Sequence, residues 1–292
     1  MNIRKFITYI VFVSLNLLAY NTYAQSSVWK VSKGANYFYL GGTIHLLTKG
    51  DYPLPQEFIT AYNDASEIIF ETALMATQTP EFQMKFITAM TYSDDRTLAG
   101  ELQPQVYRNL QEFMEARQIP LVNFKKFQPW GMSLMITILE YQRLGMMPDY
   151  GLDVFFNNLA LADNKEVVGL ETPAAQLNFL KSMAKMNPNL AIEYTLRDLE
   201  QLPQFIQIMK QAWRSGDLES FSSHELVVQM KKDFPEMYDI LITHRNNSWM
   251  TQLSSLNDDK NKEFVLVGAM HLNGKEGLLF QLQARGFKAK QL

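Results

Sequence analysis

The sequence predicts an α/β protein of the α+β kind, with a central mixed β-sheet built from both ends of the chain and a large helical insertion. Two matched stretches, residues 37–46 and 264–272, predict the sheet, since each is an apolar strand followed by Gly, two residues, His and Leu. Between them, helical patterns dominate residues 79–145 and 188–257. Because no polar linker divides the chain, we expect a single domain over residues 25–292.

The N-terminal part of this domain predicts a β-hairpin. Residues 28–31 and 37–40 are apolar segments that flank a turn containing Gly and Asn. Residues 56–65 have the spacing of a short amphipathic helix. Residues 67–70 follow as a strand that ends at Glu71, where a carboxylate is well placed for a site.

The middle of the chain predicts helices over residues 80–92 and 104–117, each opened by a proline. A third, over residues 130–144, is apolar on nearly every side, which places it in the core of a helical layer. Residues 149–153 form a turn into a fourth helix that ends near residue 163.

Residues 166–170 predict a short buried strand that ends at Glu171, and the order helix, loop, strand is typical of a crossover unit. Helix signals then extend over residues 189–256. We expect this stretch to be interrupted at three positions: Pro203, Gly216-Asp217 and Pro235. A strand over residues 264–267, a helix over 274–285 and a last strand over 287–292 complete the chain.

Residues 1–24 have the pattern of a secretory signal peptide. Arg4 and Lys5 precede an apolar run of about 15 residues, shorter than the ~20 that span a bilayer as a helix. Thr22-Tyr23-Ala24 is a typical cleavage sequence. We therefore expect an exported protein, periplasmic or secreted, with no membrane span after the signal is removed.

Composition excludes several classes of function. The formal net charge is −3, and removing residues 1–24 takes away two basic and no acidic residues. A nucleic-acid partner is excluded, because phosphate binding requires a basic surface. The chain contains no Cys, which excludes disulfides, zinc–thiolate sites and Cys nucleophiles.

The two matched stretches place His45 and His271 just beyond strands that end in glycine. Glycine permits a sharp turn there, and the carboxyl ends of parallel strands are where open α/β sheets bind ligands. If the two strands are neighbours, the two imidazoles lie side by side.

The candidate site collects polar residues beyond strand ends. Its members are His45, Glu71, Glu171 and His271, with Asp153, Arg245 and Asn246 as weaker members. Two imidazoles and two carboxylates suit a divalent metal such as manganese, cobalt or zinc. Such an ion lowers the pKa of bound water and polarises a carbonyl, which permits hydrolysis without a Ser or Cys nucleophile. One glutamate could be a ligand and the other a general base, and Arg245 could stabilise an oxyanion.

Two other functions remain open at this point. A metal-free esterase with a His base and Glu partners requires the same four residues. A non-catalytic envelope protein that binds haem, iron or a hydrophobic ligand also fits, because 16 Met and 19 Phe could line an apolar groove beside the histidines.

The ordered set of motifs resembles the TraB/GumN family, which includes the Tiki proteins. The paired GxxH signature is matched by Gly42-Thr43-Ile44-His45 and Gly268-Ala269-Met270-His271. The remaining matches, in chain order, are Ile69-Phe70-Glu71, Gly151-Leu152-Asp153, Gly169-Leu170-Glu171-Thr172 with Gln176, Arg245-Asn246 with Trp249, and Gly274 to Gly277. Together they cover about residues 28–292.

The resemblance also implies an activity, which the residues alone do not specify. Tiki members are metal-dependent proteases that cleave the amino-terminal region of Wnt proteins and require the GxxH histidines. Erythromycin esterases, a domain of a Pasteurella toxin and ChaN-like haem-binding lipoproteins are similar in turn. The resemblance therefore favours an exported metal-dependent hydrolase, above all a peptidase, whose substrate peptide or ester is unspecified.

Overall fold

The structure is a computed structural model that describes residues 25–256 and 261–292. The predicted signal peptide, residues 1–24, lies outside the described residues. Six strands form one sheet: β1 (Val28–Lys33), β2 (Asn36–Thr43), β3 (Glu67–Thr72), β4 (Glu166–Glu171), β5 (Glu263–Gly268) and β6 (Lys288–Gln291).

The strand order across the sheet is β4-β3-β5-β2-β1-β6. Strands β4, β3, β5 and β2 are parallel, whereas β1 pairs antiparallel with both β2 and β6. The C-terminal strand β5 therefore lies between two strands from the first quarter of the chain. This arrangement confirms the predicted mixed sheet built from both ends.

Fourteen α-helices surround the sheet within the described ranges. They are α1 (Gln56–Asp64), α2 (Leu74–Thr77), α3 (Pro80–Ala89), α4 (Leu98–Glu101), α5 (Pro104–Glu115), α6 (Pro129–Arg143), α7 (Leu152–Ala162), α8 (Pro173–Ser182), α9 (Pro188–Ser215), α10 (Leu218–Ser222), α11 (Glu225–Asp233), α12 (Pro235–Tyr238), α13 (His244–Ser255) and α14 (Leu278–Ala284). A π-helical turn, Asp239–Thr243, joins α12 to α13.

The core has a layer on each face of the sheet, because the side chains of the central strand β5 alternate between them. Phe264 and Leu266 belong to the layer that contains α1, α7 and α9. Val265 and Val267 belong to the opposite layer, with α13 and α14. All four side chains are fully buried, as expected for a parallel strand covered on both faces.

Two predicted boundaries are wrong. The helix α9 continues through Pro203, because Leu199, Leu202 and Ile206 around the proline are buried in the core, and this packing outweighs the lost N–H donor. The last helix begins at Leu278 rather than Gly274, since two glycines disfavour a helix over residues 274–277. The interruptions at Gly216 and Pro235 are confirmed.

No helix of the described segments is both long and apolar enough to cross a membrane.

Candidate active site at the carboxyl ends of the parallel strands

The sequence-predicted site residues meet at one edge of the sheet. Thr43 at the end of β2 is in register with Gly268 at the end of β5, and β3 lies on the other side of β5. His45 and His271 follow these neighbouring strands, while Glu71 and Glu171 lie in the last residues of β3 and β4. The four side chains therefore project from adjacent parallel strands.

His45 is held by the first turn of α7. Its Nδ1 lies 2.7 Å from Oδ2 of Asp153, whose Oδ1 accepts a 3.3 Å hydrogen bond from the hydroxyl of Thr43. The chain approaches closely here: a Cβ on Gly151 would lie 2.0 Å from the carbonyl oxygen of His45. Glycine is therefore required at residue 151 for space, and it brings Asp153 to the imidazole.

The His45 side chain is 61% exposed, so its Nε2 faces the open side of the site. The negative charge of Asp153 raises the pKa of His45 from 6.5 to about 9, against the opposing effect of partial desolvation by the surrounding protein. His45 with Asp153 is thus a strongly basic imidazole with one nitrogen fixed and the other accessible.

His271 has the opposite environment. It is buried, and its Nδ1–H donates a 2.7 Å hydrogen bond to Oδ1 of Asn246. The Asn246 amide is fixed in turn, because its Nδ2 donates to the carbonyls of His271 (3.0 Å) and Glu276 (2.8 Å). Burial lowers the pKa of His271 to about 4, which keeps the ring neutral with its lone pair on Nε2.

The guanidinium of Arg245, on α13, lies at the centre of the cluster. Its Nη2 donates to Oε2 of Glu71 (2.5 Å) and to Oε1 of Glu171 (2.7 Å), and its Nε donates to Oε2 of Glu171 (3.1 Å). Its Nη1 donates to Nε2 of His271 (3.2 Å). Every nitrogen of the guanidinium is therefore engaged within the protein.

Glu71 connects the two histidines. Its Oε1 lies 4.0 Å from Nε2 of His45 and 3.6 Å from Nε2 of His271, and it accepts a 2.6 Å hydrogen bond from the N–H of Gly268. Burial acts to raise the pKa of Glu71, but positive charge from a protonated His271, from Arg245 and from His45 holds it well below the usual range. At neutral pH His271 is uncharged, so Arg245 is the constant source of that charge. Burial raises the pKa of Glu171, although the hydrogen bonds from Arg245 act to lower it.

Comparison with known proteins shows which family the chain belongs to. The model of the TraB/PrgY/gumN family matches residues 27–291. The chain belongs to the TraB/PrgY/gumN family. It is similar to the uncharacterized protein YbaP of Escherichia coli (24% identity) and of Shigella flexneri (23%), each over 88% of this chain and 92% of the relative. No solved structure gives a significant match.

The metal site predicted from the sequence does not fit the arrangement of these side chains. Of its four expected ligands, Glu71, Glu171 and His271 already share hydrogen bonds with Arg245. No group of three or more His, Cys, Asp or Glu in residues 25–256 and 261–292 is arranged to hold a metal ion. The divalent ion predicted from the sequence stays a prediction.

The structure brings together all seven predicted residues, but it changes their relative importance in the site. Asp153, a weaker member in the sequence, is the direct partner of His45. Sequence reasoning missed Thr43, which lies inside the first GxxH motif and supports Asp153. It also missed the requirement for Gly151, although the sequence Gly-Leu-Asp after a turn was the available signal.

Proposed function

We propose that this TraB/PrgY/gumN protein is an exported hydrolase of peptide or ester bonds in which His45 is the general base. The observation that supports the proposal is the contrast between the two imidazoles. His45 is exposed at Nε2 and made basic by Asp153, whereas both ring nitrogens of His271 are occupied inside the protein.

The proposed reaction uses water as the nucleophile. The neutral form of His45 is the base, and because the pKa is about 9 this form is the minor one at pH 7.5 and increases as the pH rises towards 9. Its Nε2 accepts a proton from a water molecule, and the hydroxide oxygen attacks the carbonyl carbon of the substrate. The imidazolium then returns the proton to the leaving nitrogen or oxygen as the bond to carbon breaks. Asp153 keeps Nδ1 protonated and stabilises the imidazolium formed at Nε2.

Glu71, Glu171, Arg245 and His271 form a buried cluster that holds the site in place. Arg245 joins Glu71 on β3 to Glu171 on β4, and it also contacts His271 beyond β5. Fixed charges cost no reorganisation during a reaction. Glu71, 4.0 Å from Nε2 of His45, adds negative charge beside the base and favours the imidazolium.

The test is hydrolysis of a peptide library and an ester series by purified protein beginning at Gln25. The His45→Ala variant is expected to lose about 10²–10⁴-fold in rate, the usual contribution of general acid–base catalysis. His244→Ala is the matched control, since His244 is equally exposed (61%) and contacts an acid, Asp239, at 3.0 Å. Wild-type activity in His45→Ala, or no turnover of any substrate by wild type, would overturn the proposal.

Metal dependence and export are measured with the same protein. Parallel reactions with chelator and with added manganese, cobalt or zinc report whether a divalent ion is needed. The sequence predicts that it is, whereas the hydrogen bonds of Arg245 to Glu71, Glu171 and His271 favour a reaction without one. For export, we expect the full chain expressed in a Gram-negative host to be found in the periplasm or medium with Gln25 as its first residue. Recovery of the uncleaved chain in the cytoplasm would contradict the predicted signal at residues 1–24.

A further inference from the structure

The centre of the site is already occupied by a cation that belongs to the protein. Two carboxylates, on Glu71 and Glu171, are buried at the ends of adjacent strands, and isolated buried carboxylates are costly unless a positive charge compensates them. Arg245 supplies that charge through both Nη2 and Nε. The side chain of Arg245 is only 9% exposed, and those of Glu71 and Glu171 are 8% and 5% exposed, so the two ion pairs are shielded from solvent.

The guanidinium and a metal ion would compete for the same electron pairs. A metal bound by His271 needs the lone pair on Nε2, because Nδ1 carries the proton given to Asn246. That lone pair accepts the N–H of Arg245 at 3.2 Å. Both oxygens of Glu171 accept from Arg245. Of the oxygens of Glu71, Oε2 accepts from Arg245 and Oε1 accepts from the N–H of Gly268, so each carboxylate oxygen that a metal would use already has a donor.

We propose that Arg245 is an internal substitute for a divalent cation. In the wild-type protein it excludes metal from Glu71, Glu171 and His271, and its removal converts these residues into a divalent-metal site. Arg245 is a positioning residue in this account, since it holds the carboxylates and the neutral imidazole at the distances described. The inference concerns ion binding and does not depend on the hydrolase activity proposed above.

The test is metal content after Arg245→Met, which keeps a long side chain but removes the charge. Untagged protein is incubated with zinc or manganese, desalted and measured by elemental analysis, with titration calorimetry for affinity. Bound metal is expected to rise from near zero in wild type to about one ion per chain in the variant, because the freed carboxylates and imidazole are competent ligands. The added substitution His271→Ala should abolish this binding.

The matched control is Arg143→Met. Arg143 is 53% exposed, but it also forms a salt bridge, at 2.7 Å, to a buried carboxylate, that of Glu140. The other ion-pair partner of Glu140 is Arg117 rather than a histidine. This variant should bind no more metal than wild type. A gain of metal equal to that of Arg245→Met would show that loss of any arginine paired with a buried carboxylate creates the binding, and would overturn the inference.

Two further outcomes would overturn the inference. One is stoichiometric metal in wild type that His271→Ala removes, which is measurable whether or not Arg245→Met folds. The other is a folded Arg245→Met protein that takes up no metal. If Arg245→Met is unfolded as purified, refolding in zinc should restore native circular dichroism, since the ion replaces the missing charge; failure to refold with zinc would count equally against it. Activity is not measured in these experiments, so their failure is separate from failure of the hydrolase.

Discussion

Replacing Asp153 by Asn tests the origin of the basicity of His45. The substitution keeps the size of the side chain and its contact with Thr43 but removes the negative charge 2.7 Å from Nδ1. That charge is the largest influence on the ring, so the pKa of His45 should fall from about 9 towards 6.5. The difference is about 2.5 pH units, and it would make His45 mostly neutral at pH 7.5 instead of mostly protonated.

The assay is an NMR titration of the ring carbons in protein labelled with ¹³C-histidine. The chain contains four histidines, so the spectrum is simple, and the His45→Ala variant assigns the signal. In wild type we expect the His45 signal to titrate near pH 9, and in Asp153→Asn near neutral pH. A wild-type His45 that titrates near 6.5, or an unchanged midpoint in a folded Asp153→Asn protein, would refute the electrostatic account of the site.

Three further predictions concern stability and spacing. Because burial lowers the pKa of His271 from 6.5 to about 4, the unfolded chain binds more protons in that range, so stability should fall as pH decreases from 6.5 to 4.5. Urea unfolding should show a decrease of up to about 2–3 kcal/mol, and a His271→Gln variant should lack that component. Asn246→Ala, which leaves the buried Nδ1–H of His271 without its acceptor, should lower the free energy of unfolding by about 2–3 kcal/mol. The exposed neighbour Asn247→Ala should cost less than about 0.5 kcal/mol in the same measurement. Gly151→Ala should push the start of α7 away from His45 and lower the pKa of His45. Gly50→Ala, whose Cβ would lie 3.7 Å from its nearest neighbour, Oγ1 of Thr48, should leave the NMR titration unchanged.

The parallel strands and their site residues could be predicted from sequence because each signal is local. An apolar run followed by Gly and His fixes the strand, the turn and the emerging side chain within ten residues. The register of β2 and β5 then brings the two histidines together, since Thr43 and Gly268 are directly paired and the histidines follow them. Glu71 and Glu171 were predictable for the same reason, as each lies at the end of a strand.

The central position of Arg245 could not be predicted in this way. It lies two residues after the π-helical turn Asp239–Thr243, whose wider turn changes the angular position of the residues that follow. A period of 3.6 residues that is carried through this turn therefore misplaces the residues that follow it. The role of Asp153 depends on contact between Gly151 and the backbone of His45, which joins residues more than 100 positions apart in sequence.

The position of β5 determines when the site can form during folding. This strand comes from residues 263–268 but separates β2 from β3, so the β1–β2 hairpin has no direct ladder to β3 and β4 until nearly the whole chain is available. Contacts of such large sequence separation are slow to form because a long loop must close first. A chain truncated before residue 263 would keep the residues of β1 to β4 and Asp153, but it would lack the strand that aligns His45 with Glu71. Assembly of the site is therefore a late event, coupled to completion of the sheet.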